Sequence, residues 1–250
     1  NVSLNYEAAI AGGIPIVKAL REGLAGNEIT HIYGILNGTC NYILSEMREK
    51  RLSFDTVLAE AQALGYAEAE PSMDVDGIDA AHKLALLASL AFGTKVNFDD
   101  VYIEGIRHVS LQDIDYAEEF GYRIKLLGSA RMTENGLEQR VYPRMVDRNA
   151  PIAHVEGSYN AVVACGDFVD DTMYEGRGAG AGPTASAVVA DIMDIARGNA
   201  AATFGIPVDQ LSAAPASPIA GHRSAYYVRL MVDDQPGVIA DISAVFRDES

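Results

Sequence analysis

The chain has 250 residues, 49% of them hydrophobic and 22% charged, a globular composition that rules out a disordered chain. Its formal net charge of −16 repels phosphate backbones and argues against a nucleic-acid binder or a polybasic membrane-surface protein. Cys40 and Cys165 lie far apart and form no CxxC pattern or disulfide framework, and the longest largely apolar run, 84–92, is too short to span a membrane, so a cytoplasmic protein is expected.

In chain order, Pro15 opens a helix over 15–24 that Gly23 and Gly26 stop. Residues 29–36, rich in β-branched and aromatic side chains, read as a strand. Asn37-Gly38-Thr39 reads as a turn, with Thr39 capping a helix over 40–50. A further helix over 54–64 stops at Gly65. Segment 66–76 is acid-rich, holds Pro71 and has no period, so it reads as a loop. Asp74 or Asp76 then caps a helix over 77–92, closed by Gly93. From Val101 the pattern turns β-like, with runs at 103–106, 124–132, 137–145 and 161–166 and a hairpin turn through Asn135-Gly136. Alternating glycines over 176–182 precede an Ala-rich helix at 184–197. Residues 205–224 read as a linker, 226–232 as a strand, 234–237 as a turn and 238–246 as a helical start. Helices first and hairpins later predict an α+β fold. It has a mixed, largely antiparallel sheet with helices 15–24, 40–50 and 77–92 on one face, followed by a truncated βα unit.

The chemistry concentrates around residues 65–83. Asp79 and Lys83 are four apart and share a helix face. Past Lys83 the helix is almost wholly apolar, so a lysine stands at the head of a buried helix beside a carboxylate, an arrangement suited to moving a proton. The bland alternative is an exposed i,i+4 ion pair worth about 0.3–0.5 kcal/mol. Glu68, on the loop leading in, is placed to reach the same pocket. The glycine-rich stretch 176–182 lets backbone approach a ligand at a helix N-terminus, or simply makes a tight reversal that packs a helix; it is not a GxGxxG fingerprint. Glu7, near glycine-loosened carbonyls, is a candidate hard-cation ligand or an ordinary exposed glutamate. The five histidines form no i,i+3 or i,i+4 pair, and His82 points away from Lys83.

Five segments, EAAIAGGIPI (7–16), GILNGTCNYI (34–43), GYAEAEP (65–71), DAAHKLA (79–85) and GRGAGAGPTASAVVAD (176–191), together resemble the homoserine dehydrogenase family in order and spacing. The resemblance implies interconversion of L-homoserine and aspartate 4-semialdehyde with NAD or NADP, on the route to threonine, methionine and isoleucine. It implies Lys83 as general acid/base, Glu68 and Asp79 as substrate-binding carboxylates, and Gly65 and Gly180 beside the nicotinamide cofactor. It also implies a structural sodium ion held by Glu7 and the carbonyls of Ile10, Gly12 and Ile14, and a homodimer. Glu70 stands where the family usually has Asp, and Cys40 where Thr is common; neither lies on the implied proton path.

The run YYVRLMVDDQPGVIADISAVF (226–246) resembles the first strand and helix of an ACT-type regulatory domain, whose strand-to-helix turn, here 234–238, would bind an amino-acid effector such as threonine. The expected organisation is a substrate-binding and dimerisation domain over 1–204, a linker over 205–223 and a partial ACT-like domain over 224–250. The family's nucleotide-binding half is not in the sequence, so the chain reads as a fragment that is inactive alone and whose ACT-like piece docks poorly. Two rivals are an oxidoreductase acting on a related amino acid and a non-catalytic amino-acid-binding regulatory fragment.

Overall fold

The computed structural model describes residues 3–199, 201–219, 222, 224–233 and 235–248. A 3-10 turn at Glu7–Ala9 leads into a short helix, α1 (Ile16–Lys18), which widens into a π-turn at Ala19–Gly23. Strand β1 (Ile29–Ile35) follows, then helices α2 (Gly38–Lys50), α3 (Phe54–Ala63), α4 (Ser72–Val75) and α5 (Ile78–Phe92). Next come β2 (Tyr102–Ile103), α6 (Leu111–Glu119), β3 (Tyr122–Thr133), β4 (Gly136–Asp147), β5 (Tyr159–Gly166) and β6 (Asp170–Arg177). Helices α7 (Ala181–Ala196) and α8 (Val238–Asp248), with 3-10 turns at Pro151–His154 and Val208–Gln210, complete the described elements.

The strands form one mixed sheet in the order β2-β4-β3-β1-β5-β6, with β2 parallel to β4 and every other pair antiparallel. The α+β expectation holds. Side chains alternate along a strand, so each strand serves two faces. Ile32, Leu126, Ala130, Val162 and Ala164 pack with Ile43 and Met47 of α2 and Leu84, Leu87 and Ala88 of α5 in the main core. On the opposite face Ile35, Leu127 and Val163 form a smaller cluster under Ile152 and Val155, beside the 3-10 turn Pro151–His154. Among the described residues no helix is long and apolar enough to cross a membrane.

Several expectations need correction. Helix α2 begins at Gly38, because Asn37 is its N-cap and accepts from Cys40 N at 2.8 Å; Thr39 lies inside the first turn and instead bonds Tyr66 O. Helix α5 starts from Gly77 at φ 84 with no side-chain cap; Asp74 and Asp76 are engaged by Asn37 and Arg107. The expected loop contains α4. Helix α6 and strand β6 were not expected. Segment 226–232 forms no strand, since it lies beside no partner and a strand's polar backbone needs one. It meets the rest of the chain where Tyr227 and Arg229 bond Asp113 at 3.0 and 2.7 Å. Burial opposes ionisation of Asp113, but the bonds from Arg229, Ser110 and Tyr227 prevail and hold its pKa at about 2. Helix α8 forms where a helical start was expected and buries no side chain. Asp234, in the expected effector turn, lies outside the described residues.

Lys125 on β3 is 1% exposed. Its Nζ donates to Val155 O at 2.6 Å and Asn41 Oδ1 at 3.1 Å, with Glu156 Oε2 at 3.4 Å. Desolvation pushes its pKa down from 10.5 to about 8 against the pull of Glu156. Between those values the unfolded chain binds the proton that the folded chain releases, so this group adds stability as pH rises through that window. The raised thiols of buried Cys40 and half-buried Cys165 work the other way, but they are shared by any Lys125 variant. Urea unfolding of wild type and Lys125→Met should therefore show wild type gaining on the variant by on the order of 3 kcal/mol between about pH 7 and pH 10. A pH-independent difference would contradict the assignment.

Candidate active site

Strand β1 runs through the centre of the sheet and delivers Leu36 and Asn37 at its C-terminal end, where α2 begins. Asn37 Oδ1 caps α2. Its Nδ2 donates to Asp74 Oδ1 at 2.7 Å and to Asp79 Oδ2 at 2.9 Å. One amide therefore ties the heads of α2 and α5 together through the segment carrying α4. Asp79 Oδ2 also accepts from Lys83 Nζ at 2.7 Å, and the same ammonium donates to Leu36 O at 3.2 Å. The side chains of Lys83 and Asp79 are 21% and 31% exposed, so this is a half-buried pair in a fixed pose rather than a solvated surface pair. An ammonium has three protons. Two are committed here, which leaves one to face a ligand oxygen.

The structure brings Asp79 and Lys83 together as the spacing implies. Glu68 is exposed on the adjoining loop, and its carboxylate makes no hydrogen bond or ion pair among the described residues. That loop is tied to the first turn of α2 by Thr39 Oγ1, which donates to Tyr66 O at 2.8 Å, and by the rings of Tyr42 and Tyr66, 4.7 Å apart. Gly65, at φ 77, opens the same loop with free space beside it. Glu70 caps the turn into α4 by accepting from Ser72, which holds its carboxyl below the usual range. Cys40 is buried, its thiol donates to Asp74 O at 3.1 Å, and burial pushes its pKa well up. His82 stacks on Phe98 with ring centroids 3.9 Å apart, away from Lys83.

The two glycine-rich segments meet. Gly13 N donates to Arg177 O at 2.9 Å, and a Cβ on Gly12 would stand 2.6 Å from Gly178 O. Gly178 in turn lies against buried Asn160, whose side chain a Cβ there would overlap at 2.2 Å, and Asn160 Oδ1 would stand 3.1 Å from a Cβ on Gly38. Asn160 therefore sits between the glycine loop and the head of α2, and its Oδ1 has no hydrogen-bond partner. Gly180, at φ 110, is the N-cap of α7 with no side-chain cap.

Glu7 is buried rather than exposed. Its two oxygens accept from Val17 N at 2.8 Å and Lys18 N at 2.9 Å, capping α1, while Glu7 N donates to Asp191 of α7 at 3.0 Å. Burial raises its pKa, and neighbouring Asp191 adds to the rise. Ile14 O accepts from Ile16 N at 2.7 Å, whereas the carbonyls of Ile10 and Gly12 accept nothing from the described residues. A buried carboxylate near a second carboxylate, with two carbonyls of the same loop that accept nothing from the described residues, supplies oxygen donors of the type a hard cation takes, although both Glu7 oxygens are also held by backbone N–H groups. Among the described residues no group of three or more His, Cys, Asp or Glu side chains converges on a metal position.

Sequence reasoning missed Asn37 and Asn160. Asn37 was discoverable, because Asn outranks Thr as an N-cap and stood two residues before it. Asn160 carries no local signal; its role comes from a strand meeting two glycines distant in sequence.

The family profile of homoserine dehydrogenase matches residues 15–193. The homoserine dehydrogenase of Pseudomonas aeruginosa is 51% identical over 99% of this chain and 58% of its own length. That of Neisseria gonorrhoeae is 52% identical over 100% of this chain and 59% of its own. The crystal structure of a homoserine dehydrogenase from Thiobacillus denitrificans superposes with a TM-score of 0.90 at 49% identity, covering 98% of this chain and 58% of that one. A hyperthermophilic archaeal homoserine dehydrogenase solved in complex with NADPH is 29% identical, with a TM-score of 0.66 over 77% of this chain and 55% of that one. The chain thus spans under two thirds of the length of these relatives. With its five segments, its fold and these likenesses, the chain belongs to the homoserine dehydrogenase family.

Proposed function

We propose that the full-length protein interconverts L-homoserine and aspartate 4-semialdehyde with NAD or NADP, and that this chain supplies the substrate-binding and proton-transfer residues. The observation that carries the reading is the Lys83 ammonium, held by Asp79 and Leu36 O with one proton uncommitted. A bound nicotinamide cofactor supplies the hydride chemistry at the carbon; the chain must then move a proton at the oxygen. In the reducing direction Lys83 donates to the aldehyde oxygen, and in the oxidising direction the amine takes the hydroxyl proton. Asp79 uses one oxygen on Lys83 and Asn37. Its other oxygen, with the unbonded carboxylate of Glu68, suits the α-ammonium of an amino-acid substrate. Gly65 and Gly180 offer bare backbone where a nicotinamide would approach. A non-catalytic amino-acid sensor would have no use for so constrained a lysine.

The remaining parts of the reading follow the family resemblance. Residues 1–204 form the substrate-binding and dimerisation domain, joined through a linker at 205–223 to an ACT-like piece at 224–250 that takes threonine in the complete domain. Two copies pair. Helix α7 exposes Val188, Val189, Ile192 and Ile195, an apolar stripe suited to packing against the nucleotide-binding half of a full-length enzyme. Glu7 with the carbonyls of Ile10, Gly12 and Ile14 holds a sodium ion that fixes the start of α1 against α7.

Homoserine-dependent reduction of NAD and NADP tests the central assignment in the full-length protein. Lys83→Ala should lower kcat by about 10²–10⁴-fold with little change in KM, while the 250-residue chain alone shows no turnover. Turnover of Lys83→Ala near that of wild type would overturn the assignment. For the ion, sodium chloride in place of equimolar choline chloride should raise the thermal midpoint of wild type but not of Glu7→Gln; equal responses would remove the sodium site.

A further inference from the structure

The face of the sheet away from the helices carries a pocket that the reaction does not use. It has a volume of about 110 Å³, roughly that of a few water molecules. Strands β1, β3 and β4 build it from His31, Arg131, Glu138, Arg140 and Arg144, and His222 of the C-terminal segment closes it. These strand residues alternate with the core-facing ones, so the sheet pleat itself gathers them on one side.

Three guanidiniums gather on this face around Glu138, and a second carboxylate, Asp171, lies near enough to act on His31 and to bond Tyr33. Arg131 bonds Glu138 through Nε at 3.0 Å and Nη2 at 3.3 Å. Arg140 Nη2 lies 2.8 Å from Glu138 Oε2, an ion pair without hydrogen-bond alignment. Arg144 rests over the Tyr142 ring at 5.6 Å and has no carboxylate partner among the described residues. Burial and the neighbouring arginines lower the pKa of His31 to about 4 and also lower that of His222, so both rings are neutral at pH 7 and the positive charge belongs to the arginines.

Arg140 is only 2% exposed, yet neither of its terminal nitrogens makes a hydrogen bond, and both ring nitrogens of His222 are likewise buried without one. Buried polar groups of this kind, the Arg140 donors and the single donor and single acceptor of the neutral His222 ring, are costly unless something pairs with them. An excess of guanidinium charge in a chain of net charge −16 is not explained by general surface composition. Guanidiniums match the planar and tetrahedral oxygens of carboxylates and phosphates. We propose that this pocket binds a small doubly charged anion, a phosphate or a short dicarboxylate, between β1, β3, β4 and His222.

Calorimetric titration of the full-length protein with inorganic phosphate, and separately with succinate, tests the site. At least one of the two should bind saturably, one per chain, and shift the ring signals of His31 and His222 in the proton spectrum. The tighter of the two identifies the source as a phosphorylated compound or a dicarboxylate. Arg144→Gln, which removes a half-buried residue with no ion pair among the described residues, should weaken binding tenfold or more with an unchanged circular dichroism spectrum. Arg51→Gln, at an exposed arginine far from the pocket in sequence and on α2's C-terminal end, should leave binding unaltered. Absence of saturable binding by wild type, or equal affinities in wild type and Arg144→Gln, or equal weakening by Arg51→Gln, would each overturn the proposal.

Discussion

The site depends on how one asparagine amide is shared. Asn37 caps α2 with its oxygen and, through its nitrogen, reaches one carboxylate before α5 and one in its first turn. A cap of this kind is worth about 1 kcal/mol, and hydrogen bonds to charged partners about 1.5–3 kcal/mol each. The charged bonds therefore dominate. They bring the N-terminal ends of two helices against each other, although N-terminal dipoles of like sign repel. Asp79 and Asp74 supply the negative charge that those ends prefer. Lys83 then falls one turn along α5, against both Asp79 and the last carbonyl before Asn37.

The sheet makes that clasp possible. Strand β1 comes early in the chain but is inserted between β3 and β5, so its end is fixed by pairing on both sides. The ladder is rigid where Leu36 and Asn37 leave it. On the neighbouring strand, Asn160 stands between Gly38 and Gly178 and ties the glycine loop before α7 to the same place. Side chains larger than hydrogen at either glycine would push these parts apart. The glycine segments that resemble a ligand cradle therefore also do a packing task, and the two readings of them are compatible.

What the sequence made legible was local. The i,i+4 spacing of Asp79 and Lys83, the apolar run beyond them and the terminal Gly93 depend on neighbours a few residues apart, and the structure keeps all three. The β3–β4 hairpin is also present, but its two-residue turn is Glu134-Asn135, one residue earlier than expected, and Gly136 pairs with Thr133 as the first residue of β4. Helix α6 escaped notice although Ser110 and Asp113 form a complete capping box; the acid there is Asp rather than the usual Glu or Gln. The β character of 226–232 was real as a propensity but had no strand to pair with, so extended residues remained unpaired. The insertion of β1 and the burial of Glu7 under α7 arise between segments about a hundred residues or more apart, whereas the arginines of the far face share the β3–β4 hairpin and are joined there by His31 and His222 from distant segments. No window along the sequence contains them.

The central claim is that Asn37 acts through Asp79 on the pose of Lys83, the proposed proton-transfer group. The most direct test is a double-mutant cycle on kcat in the full-length protein, using Asn37→Ala, Lys83→Ala and the pair. If Asn37 serves Lys83, the double variant should be no slower than Lys83→Ala alone, although Asn37→Ala by itself costs about tenfold or more. Fully additive losses, or an Asn37→Ala variant with undiminished kcat, would contradict the account.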